Sequence, residues 1–148
     1  MGRRPPLPLF SISLLGVEDA VREGIAQTLA WLTPLELSED ETNTVQLVLA
    51  EALNNVVEHA LAGTGGQTTV EIRGHHGASG LDLCIVDKGI AMPDGVVPRL
   101  PAPDVTVDVA DLPDGGFGWF LIHTLAQDVT YVRRGKHNYL TLRLAVAL

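Results

Sequence analysis

Basic residues are scarce in this sequence: ten Lys and Arg stand against eighteen Asp and Glu, a formal charge of -8 over 148 residues. Duplex nucleic acid is held through its phosphates by a basic face. The chain has no such stripe, so direct nucleic-acid binding is disfavoured. Cysteine occurs once, as Cys84, which excludes an intramolecular disulfide framework and suits a reducing compartment. No apolar run approaches the length of a membrane span. Internal repeats, low-complexity tracts and interdomain linkers are also missing. What is present is 46% hydrophobic residues with 19% charged, enough for a real core and unlike a disordered chain. These features predict one small, acidic, cytoplasmic domain with no membrane segment.

At the start, Arg3 and Arg4 precede apolar residues, as in a signal peptide. Pro5, Pro6 and Pro8 interrupt the run and no small-residue cleavage site follows, so a short disordered tail over residues 1–8 is expected instead. The domain is then expected over 9–148. Phe10, Ile12 and Leu14 alternate with serines, the pattern of a half-buried strand. Val17, Val21, Ile25, Leu29 and Leu32 recur at helical spacing until Pro34. Ser38 and Glu41 form a capping box for a second helix, which is expected to run to about Ala62 with Gly63 as its stop. Two alternating strands follow around Val70–Ile72 and Leu81–Ile85, with His75, His76 and Gly77 near the hairpin tip. Residues 90–114 carry five prolines and no lasting period, which reads as a functional lid. A helix from about Phe117 to Ala126 and strands near Val129–Arg133 and Tyr139–Val146 complete the chain. The order predicts an α+β, two-layer sandwich of helices on a mixed, mainly antiparallel sheet.

Three segments carry chemistry. Glu51 and Asn55 lie four apart on the second helix, one above the other at the edge of its apolar stripe, and His59 continues that row. An amide oxygen is a hard ligand for Mg²⁺, and a carboxylate can take a proton from an attacking hydroxyl. The same spacing also suits an ordinary solvated helix shoulder, and His59 alone suits a boundary histidine. The five histidines show no zinc-binding spacing. Asp87 ends an alternating apolar run with Gly89 two residues on. An acid there can accept a hydrogen bond from a ligand amino group while bare backbone approaches closely; a plain turn fits as well. Gly115, Gly116 and Gly118 precede an apolar helix, where free backbone N–H groups suit phosphate. The motif is neither a Walker A loop nor a Rossmann turn. Taken together, the segments describe a nucleotide pocket.

In this order the motifs resemble the GHKL ATPase superfamily, whose members carry the Bergerat ATP-binding fold. E-A-L-N-N-V-V-E-H-A (51–60) is similar to its N box, V-D-K-G (86–89) to its G1 box and G-G-F-G (115–118) to its G2 box. Within the superfamily the chain resembles stand-alone anti-sigma-factor serine kinases of the RsbW and SpoIIAB type. Asp128, Val129, Tyr131 and Asn138 match their late motif, and the likeness runs from about Ile12 to Leu144. The resemblance implies a histidine-kinase-like ATPase fold using ATP and Mg²⁺. It implies Glu51 as general base, Asn55 as Mg²⁺ ligand and Asp87 at the adenine amino group, with Gly89 letting the ring approach. Gly115, Gly116 and Gly118 would wrap the phosphates, Thr141 would reach the adenine side, and Arg99 would be the basic lid residue. It further implies a homodimer whose partners are a sigma factor and a STAS-type anti-sigma-factor antagonist, the substrate for phosphorylation on serine. Two other functions fit the boxes: a regulatory module that holds nucleotide without transfer, and a detached histidine-kinase ATPase domain.

Overall fold

The computed structural model describes residues 4–5, 7–64, 67–97 and 116–146. Five strands form one sheet: β1 (Leu7–Leu15), β2 (Thr69–Gly77), β3 (Gly80–Asp87), β4 (Gln127–Arg134) and β5 (His137–Leu144), in the spatial order β1-β2-β3-β5-β4. Every pairing among them is antiparallel, so the sheet is not mixed as expected. The first strand begins at Leu7, inside the segment expected to be a tail. Just before it, the Arg4 guanidinium grips the Glu41 carboxylate with two nitrogens and donates from Nε to Leu35 O at 2.8 Å.

Helices α1 (Glu18–Trp31), α2 (Glu39–Asn55) and α3 (Gly116–Leu125) pack on one sheet face. The α2 entry is the expected capping box: Ser38 Oγ accepts from Glu41 N at 3.1 Å, and Glu41 Oε1 accepts from Ser38 N at 2.9 Å. Its stripe of Val45, Val48, Leu49, Ala52 and Leu53 is fully buried, as a core-facing stripe of helical period should be. It meets Leu81, Leu83 and Ile85 of β3 and Leu140, Leu142 and Leu144 of β5 in one core. Trp119 and Ile122 of α3 join that core. The helix does not continue regularly to Ala62. After Asn55 the backbone widens into a π-turn over Val56–Ala60, closed by Leu61 N donating to Val56 O at 2.9 Å. Gly63, at φ +83°, then ends the segment in the left-handed region.

His76, expected near a hairpin tip, is wholly buried, with Nε2 2.8 Å from Val146 O. It belongs to the core.

Candidate functional site

Alternation along β3 and β5 decides which polar side chains face the helices. Leu81, Leu83, Ile85 and Asp87 share one side of β3, and Asn138, Leu140, Leu142 and Leu144 share the same side of β5. Asp87 is therefore carried into the helix-facing layer at the end of β3, where it is 4% exposed. Its Oδ1 accepts from Gly89 N at 2.7 Å and from Asn138 Nδ2 at 2.8 Å. Burial pushes the Asp87 carboxyl above its ordinary value, and the Asn138 and Gly89 hydrogen bonds and the Arg133 charge oppose that rise.

Two close approaches tie α2 to the other segments. At its middle, Glu51 Oε2 would stand 2.4 Å from a Cβ on Gly118, so the carboxylate lies against the first turn of α3. At its far end, Ile90 N donates to Ala60 O at 2.9 Å. A Cβ on Gly89 would fall 2.1 Å from that same carbonyl oxygen. Gly89 is thus bare because the π-turn backbone occupies the space beside it.

Asn55, one turn beyond Glu51, is buried, and its Nδ2 has no hydrogen-bond partner. A buried amide without a partner is costly unless a ligand completes it. His59 leaves the row that Glu51 and Asn55 begin. The π-turn advances the chain by fewer degrees per residue, and His59 becomes exposed.

Thr141 does not reach Asp87. It lies three residues from Asn138, an odd step, and so projects from the opposite sheet face, with Oγ1 3.6 Å from Cys84 Sγ. The side chain beside Asp87 is Asn138 instead. Gly116 opens α3, whereas Gly115, Arg99 and the expected lid beyond residue 97 lie outside the described residues. An open groove of about 1070 Å³ between α1 and α2, lined by Arg22, Ile25, Leu29, Leu47 and Asn54 among others, includes none of the expected site residues.

Sequence reasoning gave no role to the group around Asn138. Its Oδ1 accepts from Tyr131 OH at 2.5 Å and from Arg133 Nη1 at 2.8 Å. Its Nδ2 also reaches Ile90 O at 2.9 Å and Gly89 O at 3.3 Å. Arg133 Nη1 donates to Gly89 O at 2.9 Å, and Tyr131 OH accepts from Met92 N at 3.0 Å. A signal for Asn138 existed: it is the one polar residue at a core-facing position of the H-N-Y-L-T-L-R-L strand. Arg133 carried none, because only the hairpin register sets it opposite Asn138.

Residues 17–144 match the family model described as a histidine kinase-like ATPase domain. The chain belongs to that family. A serine-protein kinase RsbW from Bacillus cereus is 28% identical over 91 residues, covering 61% of this chain and 56% of the relative. Another, from Halalkalibacterium halodurans, is 29% identical over 116 residues, covering 78% of this chain and 66% of the relative. The chain therefore spans little more than half the length of the first of these relatives. In the crystal structure of the RsbU and RsbW domains of Rv1364c from Mycobacterium tuberculosis, a region similar in fold superposes with a TM-score of 0.63 at 19% identity. That match covers 96% of this chain and 34% of the other. The segment that resembles the N box lies on the end of α2 and the π-turn, the one that resembles the G1 box at the end of β3, and Gly116–Gly118 open α3. No helix among the described residues is long and apolar enough to cross a membrane.

Proposed function

We infer that this chain is an ATP-dependent protein-serine kinase that restrains a sigma factor and phosphorylates a STAS-type antagonist of that restraint. The observation that carries the reading is the double contact of α2 and the π-turn after it, which hold Glu51 against Gly118 at one point and Ala60 against Gly89 and Ile90 at another. Family membership and the serine-protein kinase relatives support the same class of activity. The working form is a cytoplasmic homodimer.

In this reading Asp87 accepts a hydrogen bond from the adenine amino group. The glycines at the start of α3 offer backbone N–H groups to the phosphates. Glu51 takes the proton from the substrate serine as its Oγ forms a bond to the γ-phosphorus and the bond to the ADP oxygen breaks. No cluster of three or more metal-ligating side chains exists among the described residues. An amide oxygen is a hard ligand that fits Mg²⁺, which takes one or two protein ligands beside phosphate and water. The Asn55 amide oxygen would hold it, and Mg²⁺ when bound would neutralise charge on the phosphates; the unpartnered Asn55 Nδ2 is a donor and suits a phosphate oxygen instead.

Incubation with γ-labelled ATP, Mg²⁺ and the antagonist tests the assignment. Labelled phosphoserine is expected with the wild type, and Glu51→Ala is expected to bind nucleotide but to transfer at least about 100-fold more slowly. Undiminished transfer by that variant removes Glu51 as the base. Binding without transfer by the wild type points to a module that only holds nucleotide.

A further inference from the structure

Asp87, Asn138 and Arg133 stand directly opposite one another on β3, β5 and β4, a row across three neighbouring strands. The Asn138 amide has only one chemically sensible orientation in that row. Arg133 can only donate, so the amide oxygen must face it, and the amide nitrogen then faces a carboxylate and two carbonyls, all acceptors. Asn138 is 3% exposed, which leaves water little part in setting its contacts. Its donor and the Gly89 N–H both land on the same carboxylate oxygen, Asp87 Oδ1. No described residue donates to Oδ2.

We propose that Asn138 is a positioning residue that sets nucleobase selectivity: by engaging Asp87 Oδ1, it fixes the carboxylate so that Oδ2 is presented as an acceptor to an exocyclic purine amine. This rests on the reading of the site as an ATP pocket. The selectivity follows from proton arithmetic. A carboxylate locked as an acceptor pairs with the amine of adenine but meets only a carbonyl oxygen on hypoxanthine, acceptor against acceptor. Once the Asn138 donor is gone, the buried carboxyl loses one of the groups that keep it ionised. It can then rotate or hold a proton, and a protonated oxygen donates to the hypoxanthine carbonyl.

The test compares MgATP with MgITP, whose base lacks the amine, by calorimetric titration of the full chain. The wild type is expected to prefer MgATP by at least about tenfold, the worth of one hydrogen bond to a charged group. Asn138→Leu keeps the approximate size and removes the donor, together with the oxygen that faces Tyr131 and Arg133; an aspartate there would share a proton with Asp87 and restore the donor. The leucine variant is expected to weaken MgATP about tenfold and to leave MgITP within about threefold, so the preference collapses. Asn138→Ser, which keeps a single short donor, is expected to give an intermediate preference. It provides the same readout if circular dichroism shows the leucine variant unfolded. Equal losses for the two nucleotides would mark Asn138 as scaffold only and overturn the proposal, as would an unchanged preference or a wild type that does not discriminate. A wild type that binds neither nucleotide sinks the ATP-pocket reading itself, a failure distinct from the others.

Discussion

Burying a carboxylate costs native stability when its compensation is incomplete, and Asp87 is such a case. Its native-state carboxyl is raised by burial above the ordinary value of 3.8, with Asn138, Gly89 and Arg133 offsetting part of the rise. The native state therefore binds the proton more tightly than the unfolded chain. Stability from this group is highest at low pH and falls as pH rises from about the unfolded value through the raised native one. Asp87→Asn retains an oxygen for Gly89 N and Asn138 Nδ2 but carries no charge. It is expected to unfold at a higher temperature than the wild type at pH 7, with the gap narrowing toward pH 4, as thermal melts across that range would show. The same variant is expected to lose adenine-nucleotide affinity, so stability and binding move in opposite directions at one side chain. The placement of single residues was legible where spacing fixed it: Glu51 and Asn55 lie one turn apart on α2, and Asp87 ends β3. Thr141 was misplaced because a strand's two faces look alike in sequence until a register is fixed.

Among the elements, α2 organises the site, since its middle touches α3 and its end touches the loop after β3. A side chain at residue 89 breaks the second contact. Gly89→Ala sets a methyl 2.1 Å from the backbone oxygen of Ala60, where no flexible side chain can yield. The expected cost is about 1–3 kcal/mol of unfolding free energy, read from denaturant melts, together with weakened nucleotide binding. An unchanged melt would show that the loop and α2 can separate freely. Element types were readable because the periods were clean: the fully buried stripe of α2 and the alternation of β3 and β5 both appear in the primary sequence. The π-turn was not readable, because Val56–Ala60 has no proline or glycine to mark it. Its last residue, Ala60, accepts a hydrogen bond from Ile90, thirty residues further along the chain.

At the scale of the whole molecule, the strand order β1-β2-β3-β5-β4 puts Asp87 on the central strand and places β5 beside it, although residues 88–136, with α3 and β4 among them, intervene in the chain. A ligand bridging α2, β3 and α3 stabilises all of them together. MgATP at a hundred times its Kd is expected to raise the unfolding free energy by about 2.7 kcal/mol, seen as a higher melting midpoint. Asn55→Ala is expected to lose most of that gain at the same MgATP concentration and to recover it only when the nucleotide is raised. The layered α+β architecture was legible from the order of elements. The wholly antiparallel pairing was not, since β5 reaches β3 through a connection whose path no local pattern specifies.

The π-turn also has a bearing on chain length. Five residues there accomplish roughly what four would in a regular α-helix, so the turn accommodates a single extra amino acid while Asn55 before it and Ala60 at its close stay in position. A homologue one residue shorter in this stretch could close the turn as plain helix and still offer the same carbonyl to the loop after β3. Any gap that separates two such sequences near the N box therefore belongs between Val56 and Ala60, and an alignment that puts it elsewhere would mismatch Glu51 or Asn55 with the wrong partner.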